Sequence, residues 1–217
     1  MKLKAATQHR LFQPAIGAAL TALCGLALWK MPLGEIWVNA SYDYLFLFGA
    51  RPVTNQVALI LMDNMAFNEL HQIRGQPWAR TNHANLLNKL ADAGCPLVVF
   101  DVVFAEAADP TSDKALAQSL ARQRRVVLAA EQARGAYPGA DSAQPTLPAE
   151  MFLEAAHTNW GVAWFGPDFD LIVRKHWPFG AQGPHPSLPW VAAQQAGAKL
   201  SAIPAERWLR YYGPDGA

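Results

Sequence analysis

The run Leu97–Phe104 (LVVFDVVF) constrains the fold more than any other stretch of the chain. It is apolar at both parities and rich in β-branched residues, with Asp101 alone inside it. Gly94 and Pro96 precede it, and an acidic loop with Glu106, Asp109 and Asp113 follows. A run apolar on both faces reads as a central strand of a parallel sheet covered on both sides. A carboxylate buried there is costly unless something pairs with it. Val57–Met62 (VALILM) reads as a second buried strand, ending on Asp63. Ligands of open parallel sheets sit beyond the carboxyl ends of the strands. Two strands ending in acid therefore point to one acidic cleft.

Around this pair the chain alternates between helix and strand patterns. Ala66–Leu70 reads as a short helix and His71–Arg80 as a loop. His83–Ala93 reads as a helix capped by Thr81 or Asn82 and stopped by Gly94. Ser112 or Asp113 is expected to cap a helix over Lys114–Gln123. Val126–Ala130 (VVLAA) is a third buried strand, Glu131–Pro148 a loop and Pro148–Ala156 a short helix. Asn159–Phe165 and Leu171–Trp177 read as a hairpin about Gly166-Pro167-Asp168. A helix over Pro186–Gly197 and a strand over Trp208–Tyr212 close the chain. This order predicts a three-layer mixed α/β domain, with a mainly parallel sheet and flanking helices.

The amino end is different in kind. Leu11–Trp29 carries no charge, and 19 helical residues would span about 28 Å, close to a bilayer's hydrocarbon thickness. Lys2, Lys4 and Arg10 precede it and Lys30 follows. That bias predicts a transmembrane helix with a cytoplasmic amino terminus and the domain outside. A signal peptide cut near Val38-Asn39-Ala40, or a buried core helix, are the competing readings. Gly34–Phe48 reads as a stalk helix leaving the membrane, before the chain reversal at Gly49-Ala50-Arg51-Pro52. The expected division is 1–10 cytoplasmic, 11–31 anchor, 34–48 stalk and 49–217 domain.

Net charge is +1 and no basic stripe appears, so nucleic acid is not an expected partner. Cys24 and Cys95 lie in the anchor and the domain and do not pair. The chain has no nucleophile elbow, no Gly-rich phosphate loop and no His-Glu zinc motif. Asp63, Asp101 and Glu106 suit a hard cation, Mg²⁺ or Ca²⁺, at the strand ends. The competing reading is structural: Asp63 caps a helix, and Asp101 is neutralised by Arg80 or Arg174. Trp78 with Arg80 suits an aromatic and guanidinium wall for a flat or anionic ligand. Arg174 either completes that wall or pairs with Asp170.

Seven blocks, read in order, resemble the second type of CHASE extracellular sensory domain. They are LILMDN (59–64), GQPWAR (75–80), HANLLNKLADAG (83–94), VVFDVVFAE (98–106), DFDLIVRKHWPF (168–179), HPSLPW (185–190) and RYYGPDG (210–216). The chain departs from the family pattern at Asn64, where a second acid is usual, and at Gln76, where Trp is common. The resemblance implies a periplasmic input module of a protein in the bacterial inner membrane, followed by further membrane helices and a cyclase or kinase output. On that reading the chain is a fragment, dimeric through stalk and anchor, with an unidentified small molecule or protein as stimulus. The alternatives are a metal-dependent hydrolase using the acidic cleft, and a structural module binding a periplasmic protein through the Trp- and Pro-rich loops at 177–190.

Overall fold

The computed structural model describes residues 3–30, 32–48, 57–132, 144–179, 184–200 and 205–211, with no side chains for 3–13, 32 and 33. The chain reversal at 49–52, Asn55, the centre of the expected loop at 131–148, and the terminal turn after Tyr212 lie outside these residues. The chain divides into two compact units, 1–57 with 210–217, and 58–209.

In the first unit, helix α1 runs Leu3–Lys30 and α2 runs Pro32–Leu47. Proline has no N–H to give, so a helix running on through position 32 would lack one of its hydrogen bonds there. A side-chain carbon on Gly34 would fall 1.8 Å from the Leu28 carbonyl oxygen. Glycine alone lets the two helices approach. Among the described residues no single helix is long and apolar enough to cross a membrane. Pro14–Lys30 and Gly34–Leu47 together meet the length and composition, with a 68° bend between them. The expected anchor is thus one arm of a bent pair. Tyr42 packs edge-on against Phe46, and Phe46 against Tyr211.

The second unit is mixed α/β. Strands β1 (Val98–Phe100), β2 (Val126–Ala130) and β3 (Trp160–Val162) form a parallel sheet in that order. Val98 is opposite Val126, and Leu128 opposite Trp160. Side chains alternate across a strand. Val126 and Leu128 accordingly join Leu87 and Ala84 of α4 (Arg80–Asp92), Leu116 and Leu120 of α5 (Pro110–Gln123), and Phe152 of α6 (Glu150–Ala155). Val127 and Ala129 face the other way, onto Leu188 and Val191 of α7 (Leu188–Gln195). VVLAA is wholly apolar because helices cover both its faces. The three layers are those expected.

The placing of the strands differs. The run around Asp101 forms an edge strand three residues long, and the centre is β2. Asp101 lies just past the end of β1 and is exposed, not buried mid-strand. Val57–Met62 is exposed along its whole length and belongs to no strand. The expected hairpin does not form, because β3 pairs in parallel with β2. Its supposed partner supplies β4 (Lys175–His176), which pairs antiparallel with β5 (Arg207–Trp208). The spacing suited a hairpin, but the open edge of β2 offered β3 a longer ladder.

Helix ends follow local chemistry. Gly94 sits at φ +70°, and its N–H donates to the Ala91 carbonyl while that of Cys95 donates to Leu90. This paired closure satisfies the last carbonyls of α4. His157 closes α6 and His71 closes α3 (Asn64–Glu69) in the same way, at φ 54° and 51°, without glycine's freedom. Helix α5 is capped by Asp109, whose carboxylate accepts from the Ser112 N–H at 2.8 Å, with Pro110 at its first position. The expected caps Ser112 and Asp113 lie inside the helix. At β3, a side-chain carbon on Gly161 would lie 2.6 Å from the Leu188 Cα. There β3 and the start of α7 touch backbone to backbone, and Val162 N–H donates to the Pro186 carbonyl at 2.8 Å.

Candidate functional site

The carboxyl ends of β1, β2 and β3 open onto the segments beginning at Asp101, Glu131 and Ala163. The best-built of these is the loop 101–109. Its organiser is Arg80, the first residue of α4. The Arg80 guanidinium donates to the Asp113 carboxylate and to the Glu106 main-chain carbonyl. The Asp113 side chain is buried and that of Arg80 is largely withdrawn from water, at 3% and 11% exposure. The second oxygen of Asp113 accepts from the Ala108 N–H at 2.8 Å. The Arg80 guanidinium also lies 4.9 Å from the centre of the Phe152 ring. A buried guanidinium needs an opposite charge, further acceptors and ring faces, and Arg80 has all three. Phe104 completes the closure, its carbonyl accepting from the Ala149 N–H at 2.8 Å.

His83 follows Arg80 by one turn and is buried, edge-on to Phe100 and Phe104 with centroids 5.9 and 5.3 Å away. Burial, and then the Arg80 charge, hold its imidazole below the ordinary histidine value.

A second arginine organises the loop after β3. Arg174 is 1% exposed. It donates to Asp168 at 2.9 Å and forks onto both oxygens of Asp170 at 2.9 and 2.7 Å. The Arg174 hydrogen bond holds the Asp170 carboxyl below the usual carboxylate range. These acids sit in a tight turn over 168–171, closed by Leu171, just past Asp170, at φ 65° with its N–H donating to the Asp168 carbonyl at 2.9 Å. Phe169 and Leu171 are exposed on the turn. His176 on β4 meets the Ser187 hydroxyl at 2.9 Å. Burial, with Arg207 nearby, lowers its pKa.

The six residues singled out by sequence are therefore dispersed. Asp63 caps α3, its carboxylate accepting from the Ala66 N–H at 2.8 Å. Trp78 packs edge-on against Phe67, 6.2 Å away, rather than beside Arg80. Asp101 and Glu106 present exposed side chains on the β1 loop. Arg80 is joined to Glu106 through the latter's main chain, and Arg174 pairs with Asp170, as one reading had it. Among the described residues no three His, Cys, Asp or Glu side chains converge as metal ligands would. Sequence reasoning did not assign Asp113 its pairing role. The usable signal was Asp109-Pro110, a cap followed by a first-turn proline, which places Asp113 beyond the capping position.

Among curated proteins and among solved structures, none matches the chain significantly. The profile of the CHASE2 domain matches residues 18–215, nearly the whole chain. CHASE2 is a family of extracellular sensory domains, and the mixed α/β core with its helical amino end accords with that membership. The seven sequence blocks and this match lead to one conclusion: the chain belongs to the CHASE2 domain family.

Proposed function

We propose that this chain is the extracellular, periplasmic input domain of a membrane-anchored signalling receptor whose output is a nucleotide cyclase or a kinase. The family match over residues 18–215 carries this reading. The uncharged stretch Leu11–Trp29, with basic residues concentrated on its amino side, supports the orientation. The stimulus binds at the carboxyl end of β1. There Asp101 and Glu106 offer exposed carboxylates on a loop that Arg80 and Asp113 hold in place. Such a site takes a cationic or hydrogen-bond-donating ligand, with Mg²⁺ and Ca²⁺ the simplest probes. The receptor works as a homodimer joined through α1 and α2. Stimulus binding counts as signalling only if it favours one arrangement of those helices over another.

Two measurements test this. Alkaline phosphatase fused after Ala217 is active only outside the cytoplasm, and an inactive fusion refutes the topology. Thermal melting of the full chain in detergent, with and without Mg²⁺ or Ca²⁺, reads the site. A ligand at a hundredfold excess over its Kd adds about 2.7 kcal/mol to stability. A rise in midpoint that survives in Asp101→Asn removes Asp101 from the site.

A further inference from the structure

One titratable side chain stands at a joint of three elements. His176 is the last residue of β4, and its Nε2 meets the Ser187 hydroxyl at 2.9 Å. Ser187 is buried and is the N-cap of α7, yet its side chain bonds no N–H of that helix. It is given to the imidazole instead. In the antiparallel pairing of β4 with β5, His176 stands opposite Arg207. The ring therefore joins the start of α7 to a ribbon of two residues in each strand. A ribbon that short has little pairing strength of its own.

The charge left around the ring is of one sign. Opposite residues of an antiparallel pair are near neighbours, and like charges there repel. Among the described residues no carboxylate pairs with Arg207 or with His176. Glu206, the next residue on that side, pairs with Lys175 at 3.6 Å. Arg174, two residues before His176, is taken up by Asp168 and Asp170. Helix α7 holds no ionisable side chain, and His185 before it lies against Trp160, with centroids 5.4 Å apart. Through Ser187 the imidazole meets the amino end of α7, the positive end of its dipole. A proton on His176 is thus opposed both by Arg207 and by α7. The ring is half-buried, so water softens neither effect fully. Burial first, and then Arg207, hold its pKa below the ordinary value.

We infer that His176 is a proton-operated latch: the neutral ring holds the β4–β5 ribbon to the start of α7, and the imidazolium parts β5 from β4. The strand that parts is the one by which the chain leaves this unit. Leu209 follows β5, and its N–H donates to the Arg174 carbonyl at 2.8 Å. Arg210 then begins the segment that belongs with 1–57, where Tyr211 packs on Phe46 of α2. Acidity is thereby passed from the α/β unit to the chain that enters the helical one. The proton makes no use of the carboxyl end of β1, so this inference does not rest on the stimulus site proposed above.

Amide hydrogen exchange read by NMR on the full chain in detergent micelles tests it, at pH 7.5 and 5.5. Each rate is divided by that of an unprotected peptide at the same pH. The Leu209 amide reports on the ribbon, and the Leu128 amide, bonded to the Asn159 carbonyl, reports on the sheet. Acid should cut Leu209 protection severalfold and at most about tenfold, the limit for a group whose pKa returns to about 6.5 on opening. Leu128 should keep its protection. In His176→Gln, which can still bond Ser187 but takes up no proton, Leu209 protection should be the same at both pH values. Equal protection at both pH values in the unaltered chain overturns the inference. An equal fall in His176→Gln overturns it in favour of another group, and a parallel fall at Leu128 overturns it in favour of general loosening. If His176→Gln leaves Leu209 unprotected at pH 7.5, Arg207→Gln replaces it. A smaller fall than in the unaltered chain is then expected, and an undiminished fall overturns the inference.

Discussion

Two arginines, Arg80 half-buried and Arg174 buried, shape the carboxyl-end loops of this domain, in opposite ways. Arg80 reaches Asp113, 33 residues away in sequence, and spreads its remaining contacts over a main-chain carbonyl and ring faces. Arg174 takes its two carboxylates from four and six residues back in the same loop. The first tie closes the fold, because α4, the β1 loop and α5 meet on it. The second shapes one turn. Arg80 faces a single carboxylate deep inside, whereas the Arg174 acids are partly in water, at 23% and 31% exposure. Removing one partner should therefore cost far more at the first.

The largest expected effect is Asp113→Ala. It leaves the half-buried Arg80 charge without its carboxylate and should lower stability by about 3 kcal/mol, read by urea or thermal unfolding. Arg174→Met keeps the bulk and frees two acids that turn toward water. A loss of about 2 kcal/mol is expected by the same measurement. If the second loss equals the first, the contrast between long-range and local ties fails.

The next prediction concerns pH. His83 beside Arg80, and His176 on β4, have folded-state pKa values below the ordinary 6.5. Each binds a proton more readily when unfolded. Their neutral forms cost nothing above pH 6.5, and stability falls as pH drops below that value toward the folded ones. Melting midpoints measured at pH 7.5 and 5.5 should show the decline, and His83→Gln should reduce it. The Arg174 turn behaves otherwise: Asp170, held below its ordinary 3.8, keeps its charge through this range and loses the contribution only in stronger acid.

The smallest effect is a gain. His157→Gly relieves a side chain from the left-handed region at the end of α6 and should stabilise by about 0.5–1 kcal/mol. The same change at Gly94 is already present by nature, so α4 sets the standard for the comparison.

What the sequence made legible follows from the range of the forces involved. The β2 run VVLAA was read at its observed bounds, because burial on both faces writes itself into consecutive residues. The stop at Gly94 and the bodies of α4, α5 and α7 were equally local. Asp113 was not readable, because its partner lies 33 residues upstream and its own neighbourhood looks like any first helical turn. The misread hairpin has the same origin: β3 and β4 have suitable spacing, but their partners are β2 and β5, chosen by the sheet. Of the candidate site residues, Asp101 and Glu106 fall on one loop as proximity in sequence required. Trp78 and Arg80, only two residues apart, point into different neighbourhoods, since a helix begins between them.

The contact at Gly161 has a mechanical meaning. Where side chains separate a helix from a sheet, small shifts are absorbed by rotamer changes. Here Leu188 rests on bare main chain, and the adjoining Pro186 carbonyl is tied to Val162. The joint has no cushion. A push on the start of α7 arrives at β3 undiminished, as motion passes between two meshed teeth.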